Sequence, residues 1–72
     1  MQDQLNNLLG KEVVVYSSQH SNLSGILESD NESWYGIEGE ITLFEFWVES
    51  ISRIVDNKIY LLDYDLQWVD GL

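Results

Sequence analysis

Apolar and polar positions alternate with a period of two in two stretches of this chain, 23–28 and 41–48, the pattern of β-strands with one covered face. The clearest stretch is Leu23-Ser24-Gly25-Ile26-Leu27-Glu28. Leu23, Gly25 and Leu27 share one side; Ser24, Ile26 and Glu28 share the other. A Gly inside such a pattern marks a bend or a close backbone approach, so this stretch is expected to form the corner of a small barrel. Before it, Asp3 is expected to cap a short helix over about Gln4 to Leu9, with Leu5, Leu8 and Leu9 on one face and Gly10 at its stop. Residues 12–17 are β-branched and apolar on both faces, hence a well-covered strand. Ser18 to Asn22 reads as a polar loop.

After the corner, 34–38 is a short strand between the polar turns Asp30-Asn31-Glu32-Ser33 and Glu38-Gly39-Glu40. The stretch 41–48 is the longest strand candidate: Phe44, Phe46 and Val48 share a core-like face, while Trp47 stands among Glu45 and Glu49. Glu49-Ser50 offers a break before the strand 51–55, and Asp56-Asn57 joins that strand to 58–62 as a hairpin. The remaining residues, 63–72, form an acidic tail with interleaved aromatics, in which Tyr64 and Trp68 either pair on one helical turn or hang loose. A helix followed by short strands with tight turns is a mainly β chain, a small bent barrel over residues 1–62 plus a tail.

Composition narrows what such a chain can do. Seventy-two residues make one domain with a small core, which usually needs a disulfide, a metal or partner subunits. There is no Cys, and His20 is the sole His, so disulfides and a nitrogen–sulfur zinc site are excluded. Oligomerisation is the stabiliser left, and it suits a chain that is 44% hydrophobic with three Trp, four Tyr and two Phe. Thirteen acidic residues against Lys11, Arg53 and Lys58 give a net charge of −10. That field repels phosphate backbones and anionic membranes and permits a basic protein partner, a cation or mimicry of nucleic acid. Without an apolar run long enough for a membrane or a signal peptide, the chain reads as soluble and cytoplasmic.

Candidate chemistry is sparse. His20 sits on a polar loop with no acid to orient it. Glu28, Asp30 and Glu32 lack the residue order of a calcium loop and read as a solvated turn. No phosphate-binding glycine loop is present, so no enzymatic activity and no cofactor are expected. Trp34, Tyr35 and Trp47 are the binding candidates, because exposed aromatics stack on bases without needing positive charge. The competing reading packs them in the core or at a subunit interface.

The short N-terminal helix, Gly-Lys-Glu-Val-Val-Val, Leu-Ser-Gly-Ile-Leu-Glu-Ser and the late strand–break–Ile-Ser-Arg-Ile-Val resemble the Sm and Sm-like proteins, the bacterial Hfq-like branch above all. The resemblance runs from about Leu5 to Val55. It implies a strongly bent five-stranded barrel that closes homo-oligomeric rings of five to eight copies, the fourth strand of one subunit pairing with the fifth of the next. That pairing would set Phe44, Phe46 and Val48 against a neighbour's Ile51, Arg53 and Val55, and would remove two open sheet edges. It also implies binding of RNA or nucleotides. The family's RNA-binding segments are altered here, however: Asp30-Asn31-Glu32-Ser33-Trp34 replaces an Asp-x-aromatic-Met-Asn turn. Trp47-Val48-Glu49-Ser50 likewise replaces a Tyr-Lys-His segment and brings Glu49 to a pore position. Two expectations follow: a ring that binds nucleotides or RNA through Trp34, Tyr35 and Trp47, or a small acidic protein that docks on a basic protein partner. A generic small barrel that never closes a ring is the alternative fold.

Overall fold

The computed structural model of the chain describes residues 2–18, 22–39 and 43–70. It is a mainly β fold: helix α1 (Gln2–Leu8), strands β1 (Glu12–Tyr16), β2 (Leu23–Ser29), β3 (Trp34–Glu38) and β4 (Leu43–Trp47), a 3-10 turn (Val48–Ser50), strands β5 (Ile51–Val55) and β6 (Lys58–Leu61), and helix α2 (Leu62–Asp70). His20, Glu40 and Ile41 fall outside the described residues. α1 begins earlier than the capping argument places it, so Asp3 lies inside the first turn, where its charge favours the helix N-terminus. Gly10 ends the helix at a positive φ of 79°, as a left-handed stop requires. Its N–H donates to the Leu27 carbonyl at 2.9 Å, tying α1 to β2.

The six strands form one mixed sheet in the order β4-β3-β2-β1-β6-β5. All pairs are antiparallel except β1 with β6, which run parallel. Among the described residues the ladder of hydrogen bonds is open, so β4 and β5 are its two edges. The strand beside β1 is therefore β6, the second arm of the Asp56–Asn57 hairpin, and β5 lies outside it. Asp56 takes a φ of 56°, the left-handed conformation that a two-residue hairpin turn uses.

Alternation sorts the side chains as the pattern predicts. Val13, Val15, Leu27, Tyr35, Ile37, Phe46, Ile51, Ile59 and Leu61 point inward and meet Leu5 of α1 in one core, with Phe44, Val48 and Ile54 packed around it. β2 is the shared strand. Residues 23–26 pair with β1 and residues 26–29 with β3, so each half of β2 anchors a different half of the sheet. At Gly25 a Cβ would stand 2.7 Å from the Glu38 carbonyl oxygen. Only a residue without a side chain permits so close a backbone approach.

Two departures from the sequence pattern matter for the surface. In β5 the register shifts between Ile51 and Arg53, a bulge at Ser52. Ile51 and Arg53 would share a face in a regular strand; the extra residue keeps Ile51 inside, opposite Leu61, and turns Arg53 out, opposite Tyr60. The segment after β6 is also not a loose tail. Leu62 ends the strand and starts α2, whose first turn carries Asp63 and Asp65 where the helix dipole favours acidic groups. The side chain of Trp68, its suggested partner for Tyr64, lies outside the described set.

Candidate functional site

α2 is fastened to the outer face of β1, β6 and β5 by a continuous set of contacts. Tyr16 and Tyr60 stack with ring centroids 4.6 Å apart, and Tyr64 of α2 tilts against both. The Arg53 guanidinium lies 3.8 Å from the centroid of the Tyr60 ring. It donates from Nε and Nη2 to the Asp65 carboxylate at 3.2 and 3.3 Å. Hydrogen bonds from Arg53 and then from Ser52 hold the Asp65 carboxyl below its usual range. Ser18 donates to Asp63 at 2.8 Å and closes the start of the helix.

The opposite end of the sheet is built differently. Register places Trp34 opposite Trp47, and their rings meet edge to face at a centroid distance of 4.5 Å, a favoured aromatic geometry. Gly36, opposite Glu45 on β4 and Glu28 on β2, leaves a row without a side chain between two carboxylates. Asp30 stands close enough to Glu45 that a side-chain hydrogen bond, together with the like charge, holds the Glu45 carboxyl above its usual range. Trp47 remains 45% exposed.

Between β4 and the β6–α2 corner runs a groove of about 700 Å³, in the size range of ligand sites. Phe44, Phe46 and Trp47 form one wall, and Leu61, Leu62 and Leu66 the other. Leu62 and Leu66 are 45% and 56% exposed. They stand one helical turn apart on α2 and so share a face. The ionisable groups of this lining are Glu45, Glu49 and Asp63; among the described residues no Lys or Arg lines it. A second hollow, about 630 Å³, lies beside Gly25 and is lined by Glu12, Asn22 and Glu38 with a few apolar neighbours.

The residues singled out from sequence separate accordingly. Trp34, Trp47 and Glu49 come together along the groove. Tyr35 is buried and its hydroxyl donates to Asn6 at 2.9 Å, so its ring belongs to the core and not to a stacking surface. Phe46 and Ile51 are likewise buried within the single chain, whereas Arg53 and Val55 are exposed on the β5 edge. Glu28, Asp30 and Glu32 are exposed, and among the described residues no three Asp, Glu or His side chains gather to hold a metal ion. No described helix is long and apolar enough to cross a membrane. Sequence reasoning passed over Leu62 and Leu66. Their i, i+4 spacing is the available signal, on the same helical turn that would pair Tyr64 with Trp68. No protein-family model, no curated protein and no solved structure matches the chain.

Proposed function

We propose that this chain is a non-enzymatic interaction protein that docks on a basic protein partner. The observation that supports it is the groove beside β4, apolar on both walls and ringed by Glu45, Glu49 and Asp63, with all described cations placed elsewhere. Such a surface offers apolar area for burial and a negative field that steers a cationic partner to it. The net charge of −10 acts in the same direction. Titration with polylysine, followed by tryptophan fluorescence in low and moderate salt, tests the reading. Saturable binding that weakens with salt supports it; no change in tryptophan emission at low salt overturns it.

A second reading keeps the Sm-like resemblance: a homo-oligomeric ring in which Trp34 and Trp47 stack on a nucleotide or an RNA segment. One specific observation favours it, because the two strands that would pair between copies, β4 and β5, are the two open edges of the sheet. Native mass spectrometry distinguishes the two. A closed assembly of five or more copies that also retains a labelled oligonucleotide at low salt favours the ring, and a monomer that binds polylysine alone favours the acidic docking protein.

A further inference from the structure

We infer that the groove takes its partner as an extended segment with alternating basic and apolar residues, added antiparallel or parallel to β4 as a seventh strand. This rests on the reading of the chain as a basic-protein binder and specifies the shape of what is bound. The first support is where the groove runs. Neighbouring residues of a strand point to opposite faces. Phe44, Glu45, Phe46 and Trp47 nevertheless all line one groove, which requires it to lie along the edge of the strand. β3 occupies the other edge, so this is the open one.

The backbone polarity of that edge follows from one hydrogen bond. The Val48 N–H donates to the Ser33 carbonyl at 2.8 Å. In an antiparallel ladder, hydrogen-bonded and non-bonded pairs alternate. Counting back along the register, Phe46–Tyr35 and Phe44–Ile37 are the bonded pairs. The N–H and C=O groups of Glu45 and Trp47 are thereby directed at the groove, where an added strand satisfies them.

The side chains then set the partner's chemistry. In an added strand, alternate residues face opposite ways. One set meets Leu62 and Leu66 across the groove, and the other meets Glu45, Glu49 and the Trp47 ring, a place for Lys or Arg. The molecule already uses this combination at its other edge, where Arg53 sits between the Tyr60 ring and the Asp65 carboxylate. At β4 the aromatic and the carboxylate are present, and among the described residues no Lys or Arg lines the groove. A second copy supplies it poorly, since each copy carries −10 and Arg53 of β5 is engaged by Asp65. A heterologous basic strand fits better.

The test uses the blocked peptide Ac-Lys-Val-Lys-Leu-Lys-Val-Lys-NH2 and the same peptide N-methylated at alternate residues so that one edge loses its donors. The expected results are amide shifts in the protein centred on Glu45 and Trp47, and binding at least tenfold weaker for each of the N-methylated edge that faces β4 and the exposed-site variant Leu66→Gln. Far-UV circular dichroism checks that the variant is folded. A second form, N-methylated at the intervening residues, loses the donors of the other edge; equal binding of these two N-methylated forms, or shifts centred on another acidic face, overturns strand addition while polylysine binding still supports the broader reading. Failure of both peptide and polylysine to bind removes both.

Discussion

The two edges of the sheet are made of similar parts and finished in opposite ways. Towards the β5 edge, Tyr16 of β1 stacks on Tyr60 of β6, the Arg53 guanidinium of β5 lies over the Tyr60 ring and pairs with Asp65, and Tyr64 and Asp65 of α2 belong to the same set. At the β4 edge, Trp34 and Trp47 stand with Glu45 and Glu49 along the groove, and the Glu45 carboxyl faces that of Asp30. The contrast teaches what each cluster needs. Aromatic rings and carboxylates pair off on the surface once a cation joins them, and without one the carboxylates carry a like-charge repulsion that a cationic partner can relieve.

The largest expected effect tests whether the two edges belong to one cooperative unit. β2 carries both, pairing with β1 through its first half and β3 through its second, and Gly25 sits where the Glu38 carbonyl closes in. A valine there meets backbone, which cannot swing aside as a side chain can. Gly25→Val is expected to cost about 3 kcal/mol or more, at the upper end for overpacking, while exposed Ser24→Val shifts the urea midpoint only slightly. Equal effects of the two would mean that β2 does not join the halves as its register indicates.

The next effect separates the edges. Arg53→Ala removes a surface ion pair and a cation–π contact, so the urea midpoint should fall modestly while amide hydrogen exchange in α2 speeds up and that of β4 stays unchanged. Trp47→Ala should do the reverse: a loss of under about 1 kcal/mol from the cross-strand pair, with α2 protection intact. If Arg53→Ala deprotects β4 as much as α2, the edges are not independent.

Much of this contrast was readable from the chain, and the rest depended on what meets what. The alternation in 23–28 fixes which side of β2 is covered, and the Asp56-Asn57 pair fixes the last hairpin, because both depend on residues a few positions apart. The parallel partner of β1 is not local: β6 in place of β5 follows from how the hairpin docks. The bulge at Ser52 changes the parity of β5, so counting by twos from Ile51 sends Arg53 to the wrong face. For Asp63, Tyr64 and Asp65 the local pattern leaves a helical turn and a loose tail both open, since the groups that hold them as a helix, Ser18, Tyr16 and Arg53, lie far away in sequence. The groove is the extreme case: it needs residues from 34, 44–50 and 61–66 to converge.

Acidity should move the edges in opposite directions, by smaller amounts. Asp65 has a lowered carboxyl pKa, so its contribution to stability is present above the ordinary aspartate value of 3.8 and fades as pH falls through the lower folded value. Glu45 has a raised one beside Asp30, so the folded state holds a proton that the unfolded chain has released. Ionising it therefore counts against folding as pH rises above the ordinary value of 4.5. Asp65→Asn should destabilise slightly at pH 7, as expected for an exposed ion pair, and Glu45→Gln should stabilise slightly. Shifts of the same sign would contradict the assignment of the two carboxylates to a paired and an unpaired edge.

The smallest folding effect and the sharpest functional one should coincide at Glu49. This residue is exposed in the 3-10 turn at the end of the groove. Glu49→Lys removes one negative charge and adds one positive, which takes the net charge from −10 to −8. With no described partner to lose, its unfolding free energy should stay within about 0.5 kcal/mol of the parent. The new ammonium instead stands where a basic strand would enter, so polylysine binding should weaken by more than the loss of two charges elsewhere, as in a control with Glu32→Lys on the β2–β3 turn. Comparable weakening by both variants would mean that the partner feels only the total charge. If Glu49→Lys instead breaks an assembly of copies while folding is unaffected, Glu49 faces a second subunit and the β4 edge is used for self-pairing.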